Sequence, residues 1–340
     1  MNANEQIADA TVERALVLSR YSAGTGRKIV ELLNDVQRDI IRRLPDVAGE
    51  VSRRRLLSQL KEIQELIGSS YDDITKLALD ELNELAEIEA LWQMNSVNSV
   101  VGVEIMRAMP TAAALEAIVT NGLVLGNPAA TWWAQQSQQA QNEFSRVIRL
   151  GLSQSETNQQ IARRVRDSMG IQQRHAFALV KTSTQAVAMQ ARDEMLATND
   201  DVVKGKISIA TLDGRTTFVC ADCDQATYNL KNEPIKPKKR PYIAIPRHFG
   251  CRSMWSPLLK KWDEMGLPFD EFSPSTRASL DGQIPADTSF DKFLSGKSAA
   301  WQDKYLGKGR AELYREGKIT LSDMVDGLGR ELTIAQLREL

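Results

Sequence analysis

The sequence predicts a mainly α protein in three parts: an N-terminal helical region over residues 1–200, a small α+β module over residues 201–262 and an extended C-terminal tail over residues 263–340. Three observations support this fold class. Apolar residues recur at helical spacing throughout the first part. A β-branched segment and all three cysteines are confined to the second part. The third part is interrupted by Gly and Pro and contains only short helical patterns.

The composition indicates an ordinary globular protein. Hydrophobic residues make up 42% and charged residues 26% of the chain, and the net charge is −1. This balance gives no overall electrostatic reason to expect a nucleic-acid or acidic-membrane partner. The longest apolar stretch, residues 88–109, is interrupted by polar residues and falls short of the ~20 apolar residues that span a bilayer. We therefore expect a soluble protein without a membrane partner.

The clearest helical stripe lies over residues 28–44, and Pro45 ends it. Its apolar members are spaced by three or four residues; they are Ile29, Leu33, Val36, Ile40 and Leu44. A second stripe covers residues 54–67 and ends at Gly68 and two serines, and a third starts at Asp72 or Asp73 and reaches Leu91. Because no heptad persists over several repeats, we expect a helix-bundle core and not a partner-binding coiled coil.

The remainder of the first part predicts four more helices. Gly151 and Gly170 end two of them, because Gly is common just after a helix C-terminus. The predicted helices cover residues 112–119, residues 129–150 closed by Gly151, a segment from Ser153 or Ser155 to Gly170, and residues 172–198.

The second part predicts a small module with two strands, at residues 206–211 and 242–245. Asp213-Gly214 marks a turn, and residues 232–241 form a loop rich in Lys and Pro. A unit of this size buries little apolar surface, so a bound metal would supply stability that the core lacks.

Short helices are predicted again in the third part. Several Gly and Pro residues predict a tether over residues 263–287. The helices that follow are predicted at residues 289–293, 299–306, 308–316 and 333–339, with a further helical turn at 322–325.

All three cysteines and one of the two histidines lie within one short stretch, in the pattern C-x2-C-x24-H-x2-C. They are Cys220, Cys223, His248 and Cys251. Zinc prefers four thiolate or imidazole ligands in a tetrahedron, and a closed Cys3His set is typical of structural sites. The pattern predicts a zinc-knuckle module with structural Zn²⁺ and no catalytic residue. Two alternatives stay open: cysteines that are buried only for packing, and a catalytic dyad of His248 with Cys220 or Cys251.

A disulfide framework is not favoured. The number of cysteines is odd, and the N-terminal residues do not resemble a signal peptide, so we expect folding in a reducing cytoplasm.

Polar residues flank the predicted ligands. Asp213, Arg215 and Arg252 are candidates to support the metal site, the arginines by donating to thiolates or to carbonyl oxygens around the ion. A surface salt bridge is the alternative interpretation. A basic run comprises Lys236, Lys238, Lys239 and Arg240. It fits either a contact to DNA phosphate or a solvated loop.

The residues around the cysteines resemble a known family. Residues 211–225 read TLDGRTTFVCADCDQ, and residues 245–253 read IPRHFGCRS. Both are similar to signatures of the phage head morphogenesis proteins, also called minor head or Mu F-like proteins. Asp224-Gln225 stands where the family often has Asp-Gly. Further likeness covers residues 151–165, 178–192 (where Lys181 replaces a usual arginine), 301–318 and 333–340.

The resemblance implies a virion component that associates with the portal or the inner capsid and acts in head assembly or DNA delivery. The implied partners are the portal protein or other virion proteins, and genomic DNA is a further candidate. Two other classes remain as alternatives, a treble-clef zinc nuclease and a DNA-binding ejection protein. A treble-clef nuclease needs an additional histidine as general base near a catalytic metal. The second histidine, His175, falls in a predicted helix, so we expect no enzyme activity.

Overall fold

The computed structural model describes residues 3–44, 53–235, 240–265 and 276–340. Helix accounts for 63% of the structure and strand for 10%, which confirms a mainly α protein. Within the described residues, none of the helices combines the length and the apolar character that a bilayer crossing requires.

The helices include three that are very long. In chain order they are α1 (Ala3–Arg42), α2 (Arg53–Val101), α3 (Ala112–Asn121), α4 (Ala129–Ser153), α5 (Asn158–Thr198), α6 (Phe218–Asp222), α7 (Phe290–Ser295), α8 (Ala299–Leu306), α9 (Lys308–Arg315) and α10 (Ile334–Leu337), with a 3-10 turn at Leu321–Met324.

The strands are short and antiparallel. They are β1 (Leu123–Val124), β2 (Asn127–Pro128), β3 (Val203–Ile209), β4 (Thr227–Asn229), β5 (Pro234–Ile235), β6 (Met254–Leu259), β7 (Thr276–Ser279) and β8 (Gly282–Pro285). Four of them form one sheet in the order β5-β4-β3-β6, and β1-β2 and β7-β8 are separate pairs.

The chain divides into two compact units, a different division from the three consecutive parts that the sequence predicts. Unit 1 contains Met1–Leu18, Glu87–Leu115 and Ala188–Leu340, and unit 2 contains Ser19–Ala86 and Glu116–Val187. The long helices α1, α2 and α5 each contribute residues to both units.

Unit 2 has the helix-bundle core that the apolar stripes predict. Ile29, Leu33 and Ile40 on α1 are fully buried, and they belong to one core cluster with Trp133 and Phe144 of α4. The stripe spacing of three and four residues puts these side chains on one face of the helix, which explains why they are buried together.

Two predicted helix breaks are wrong, because α2 runs through Gly68 and α5 runs through Gly170. Gly inside a helix costs only about 1 kcal/mol relative to Ala. Around Gly68 that cost is offset by tertiary burial, since Ile67 and Tyr71 both lie in the unit 2 core. Ser70 remains compatible with the helix because its hydroxyl donates to the Leu66 carbonyl oxygen at 2.8 Å.

In unit 1, β3 covers most of the first predicted strand, and it pairs with β4 and with β6. The second predicted strand, residues 242–245, is not a strand. Tyr242 instead stacks on Trp255 of β6, with ring centroids 5.5 Å apart. The Lys206 ammonium lies over both rings, at 4.8 and 4.7 Å, and pairs with Asp193 at 2.6 Å. The aromatic side chains are therefore fixed by ring contacts instead of by strand pairing.

The expectation of an extended C-terminal tail is wrong for residues 276–340. These residues share a core with the segment around α6, in which Leu212 and Phe218 are buried with Phe290 and Leu306. The Tyr305 hydroxyl donates to the Thr216 carbonyl oxygen at 2.9 Å. The short tail helices therefore complete the core of the module.

A buried ion pair adds a second link between the tail and the module. The Arg277 guanidinium lies 3.0 Å from the Asp224 carboxylate, and both side chains are almost fully buried. Asp224 also accepts hydrogen bonds from the backbone amides of Ala210 and Phe290. Since a buried carboxylate needs such partners, Asp224 fixes three separate segments of unit 1 to one another.

Candidate metal centre

Two local elements of unit 1 carry the predicted ligands. Cys220 lies on the short helix α6, and Cys223 follows at its C-terminal end. His248 and Cys251 lie in a tight turn that precedes β6, in which the Cys251 amide donates to the His248 carbonyl oxygen at 3.1 Å. Gly250 within this turn has φ +71°, a left-handed conformation that glycine adopts without steric cost. Gly250 therefore permits the tight turn in which His248 and Cys251 both face Cys220.

Three of the four predicted ligands converge. The Cys220 sulfur lies 3.3 Å from His248 Nε2 and 3.7 Å from the Cys251 sulfur. All three donor atoms lie within 4.8 Å of one another. A zinc–sulfur bond of about 2.3 Å places two sulfurs of a tetrahedral site about 3.8 Å apart. The spacing of the two sulfurs fits a shared metal ion.

Cys223 is outside this group of donor atoms. Its side chain is completely buried, and burial raises the pKa of its thiol. The structure thus brings together a Cys2His set where the sequence pattern predicts a Cys3His set.

The hydrogen bonds of His248 select the ring form that a metal needs. Nδ1 lies 3.0 Å from the carbonyl oxygen of Phe249. A carbonyl oxygen only accepts, so Nδ1 carries the hydrogen and a neutral ring has its lone pair on Nε2. Nε2 faces the Cys220 sulfur and the Thr217 hydroxyl, the latter at 2.9 Å. An Nδ1–H bond to a backbone carbonyl is a common arrangement behind a metal-ligating histidine.

The charges around the sulfurs favour a thiolate at Cys220. Hydrogen bonds with Cys251 and then with the protonated form of the His248 ring hold the pKa of the Cys220 thiol well below its usual value. The same contacts raise the pKa of Cys251 and of His248. A Cys–His dyad needs only one sulfur beside the imidazole. The second sulfur at 3.7 Å is the feature that favours a metal site over a dyad.

Arg247 lies beside the sulfurs, whereas the sequence pattern places it only near the basic run, as a further candidate for a DNA phosphate contact. Its Nη2 atom donates to the Ser208 hydroxyl at 2.9 Å, and its guanidinium also hydrogen-bonds to Cys220. Burial lowers the pKa of Arg247, but the charges of Cys223, Cys220 and Cys251 outweigh burial and raise it. The sequence signal was its position next to His248, which does not by itself indicate where the guanidinium points.

Asp213 and Arg252 form an ion pair with each other. Both guanidinium Nη atoms donate to the Asp213 carboxylate at 2.7 Å. This bidentate pair links the turn before α6 to the residue after Cys251, so it holds the two ligand segments together. Arg215 is exposed, and its backbone amide donates to Asp213 at 2.9 Å.

The basic run is only partly visible. Lys236, Lys238 and Lys239 lie outside the described residues. Arg240 is buried, its Nε lies 2.7 Å from the Asp222 carboxylate, and its Nη2 donates to the Asp326 carbonyl oxygen at 3.0 Å. These contacts turn Arg240 toward the protein and away from a phosphate partner. The remaining histidine, His175, is exposed on α5 within unit 2.

Comparisons with protein-family models, with curated proteins and with solved structures find no match for this chain.

Proposed function

We propose that the protein is a phage virion component of the minor-head type, which associates with the portal or another virion protein, and that its Cys-His-Cys centre holds a zinc ion. One observation carries the proposal. Three of the segments that resemble the head morphogenesis family, residues 211–225, 245–253 and 301–318, lie in one unit, although the third is distant in sequence from the other two.

Specific contacts join these segments. The Phe218 and Tyr305 rings meet edge to face at 5.5 Å, and the Asp213–Arg252 pair joins the first segment to the second. The first and third segments share one buried core, so each depends on the other for its packing.

The residues present fit zinc. Two sulfurs and an imidazole nitrogen lie at distances that suit one ion, and the tautomer of His248 leaves Nε2 free to ligate. A bound zinc would stabilise the turn that holds His248 and Cys251 against α6. The role proposed for the metal is therefore to fasten two short segments that bury little surface by themselves.

The virion role is tested on phage particles. Particles banded in a density gradient from a host that carries the gene should contain this protein in a few copies, as quantified by mass spectrometry against the portal protein. A tagged copy should retain the portal on an affinity column. A tagged His175→Ala variant, changed at an exposed position, serves as the matched control and should retain the portal equally well. Particles that are complete and infectious without the protein would contradict the proposal.

The metal is tested separately. Elemental analysis of the purified protein should give about one zinc per chain, since the three donor atoms suit a single ion. Cys220→Ser and His248→Ala should each lose the metal, and His175→Ala should keep it. If wild-type protein contains no metal after reconstitution with zinc, the zinc assignment is wrong. The virion assignment is then still tested by the particle experiment.

The alternative classes make different predictions. We expect no DNA cleavage with added Mg²⁺ or Mn²⁺, whereas a nuclease would digest plasmid DNA. A DNA-binding ejection protein would be retained on a DNA column, and its retention would weaken steeply as salt is added, because it binds phosphates. We expect no such retention.

A further inference from the structure

We infer that the centre binds its metal through Cys220, His248 and Cys251 alone, and that a water molecule or a small anion from solvent takes the fourth coordination position. The inference deepens the proposed function and rests on its metal centre. It departs from the sequence prediction, in which Cys223 closes the site.

Cys223 lies apart from the three ligands that converge. Its sulfur does not join the group of donor atoms that lie within 4.8 Å of one another. Cys223 has no exposed surface, whereas His248 is partly exposed. The backbone at Cys223 is also fixed, because its amide donates to the Val219 carbonyl oxygen at 3.1 Å at the end of α6. Three protein ligands and one free position are the usual composition of a zinc site that exchanges a ligand.

A small open cleft reaches two of the ligands from solvent. Cys220 and His248 line it, together with Thr216, Thr217 and Ser253. Its interior has room for about one water-sized ligand. The hydroxyl of Thr217, 2.9 Å from His248 Nε2, is near enough to the ligand nitrogen to hydrogen-bond a molecule that binds beside it.

The charge of the cleft sets the class of ligand. Arg215 and Arg252 both line it, and none of its lining residues is acidic. Arg252 is paired with Asp213, but no ion pair of the Arg215 side chain is found among the described residues. Two thiolates and a neutral imidazole leave Zn²⁺ with no net charge. A small monoanion is therefore accepted without repulsion from the ligands, and Arg215 attracts it.

Cobalt substitution tests the inference with a spectroscopic readout. Co²⁺ is added to metal-free wild-type protein and to Cys223→Ser and Cys223→Ala variants, and azide is then titrated. We expect stoichiometric Co²⁺ binding and the same thiolate-to-cobalt charge-transfer intensity in all three proteins. Cys251→Ser should lose about half of that intensity, because one of two thiolates is removed. Azide should shift the ligand-field bands of wild-type and Cys223→Ser alike.

Arg215→Gln tests the cleft. Its Co²⁺ stoichiometry should equal that of wild-type, and its affinity for azide should fall several-fold. Lys308→Gln, an exposed change on α9, is the matched control and should leave both unchanged. Circular dichroism confirms that each variant is folded.

The outcomes separate the two proposals. Loss of about a third of the charge-transfer intensity in both Cys223 variants, with no response to azide, would show a closed site of three thiolates and overturn the inference. Wild-type protein that binds neither Zn²⁺ nor Co²⁺ would overturn the metal centre itself.

Discussion

Gln225 has a backbone conformation that its residue type does not favour. Its φ is +62°, in the left-handed region. Its amide donates to the Ser208 carbonyl oxygen at 2.8 Å, so the turn is held by β3. A residue with a Cβ pays roughly 1–2 kcal/mol in this region. Glycine adopts this conformation without that steric cost.

We therefore expect Gln225→Gly to stabilise unit 1. The gain should be about 1 kcal/mol or less, because relief of the left-handed strain is reduced by the larger chain entropy of Gly in the unfolded state. The substitution also removes the bond from Gln225 Nε2 to the Ala286 carbonyl oxygen at 3.3 Å, a weak contact. Urea denaturation measures the change.

Gln139→Gly is the matched control for this prediction. Gln139 is exposed within α4, where Gly costs about 1 kcal/mol, so this variant should lose stability. Equal losses in both variants would contradict the strain assigned to Gln225.

The residues of the candidate site show which metal ligands the sequence pattern predicts correctly. The paired spacing of cysteine and histidine predicts Cys220, His248 and Cys251, which do converge. It also predicts Cys223, which does not join them. Spacing fixes which ligands share a turn, but the side-chain rotamer that aims each sulfur depends on surrounding packing that a ligand pattern does not encode.

At the scale of elements, Gly205 allows β3 and β4 to pair closely. A Cβ at this position would lie 2.1 Å from the Tyr228 carbonyl oxygen, a backbone atom that is fixed by the sheet. We expect Gly205→Ala to separate the two strands and to destabilise unit 1 by about 1–3 kcal/mol, the usual cost of overpacking. Thermal denaturation measures the loss.

Gly214→Ala is the control for the strand variant. The added Cβ would have its nearest neighbour, Trp301, at 3.6 Å, which is an ordinary contact. Its stability should stay within about 0.5 kcal/mol of wild-type. A Gly205→Ala protein as stable as the control would show that the sheet accommodates the methyl group.

Helices α1 and α2 are linked in unit 2 by an ionised carboxylate. Burial raises the pKa of Glu81, but hydrogen bonds from Lys28 and then Thr25 outweigh it and leave the pKa lowered. A lowered pKa means that the folded state favours the carboxylate. Its contribution to stability is complete above the unfolded pKa of about 4.3, and is lost as the pH falls through the lower folded value.

We expect Glu81→Gln to remove this part of the pH dependence. Wild-type unit 2 should lose stability relative to the variant as the pH is lowered from about 5 to below 4, and the two should differ most near neutral pH. Glu62→Gln, an exposed change on the same helix, should keep the wild-type profile. Denaturation curves across this pH range provide the comparison, and parallel wild-type and Glu81→Gln profiles would refute the linkage.

Sequence patterns predict the helices better than the strands, for a physical reason. The four-residue and three-residue spacing on α1 marks one buried face. Strand β6 is buried along nearly its whole length and contains Pro257, so it lacks the alternation that marks a half-buried strand. The hairpin of β7 and β8 has a mostly exposed second strand, and it also carries no such pattern.

At the scale of the whole molecule, the tail shows what sequence patterns leave undetermined. The boundaries of α8 are predicted to the residue, and those of α9 nearly so. Their apolar anchors would suit a groove on a partner as well as a site on their own chain. In the structure, the contacts of Tyr305 with Thr216 and Phe218 place α8 on its own chain.

We expect Phe290→Ala to destabilise the module and the tail together. Phe290 has no exposed surface and lies in the core shared with Leu212 and Phe218. Removing a buried aromatic ring costs about 3–5 kcal/mol. Hydrogen exchange should show faster exchange in both β3 and α8, because they belong to one cooperative unit.

The matched control is Leu328→Ala, since Leu328 is 72% exposed. It should leave exchange unchanged in both elements. Faster exchange that is confined to the tail in Phe290→Ala would show that the module is stable without it.

The interleaved order of the two units has a consequence for biosynthesis. Unit 2 ends at Val187, whereas the core of unit 1 includes Leu337. Residues emerge from the ribosome in chain order, and domains generally fold as units during synthesis. The helical bundle can therefore assemble while the last 150 or so residues are still being translated, whereas the amino-terminal 18 residues must wait for the carboxyl terminus to emerge before their own unit is complete.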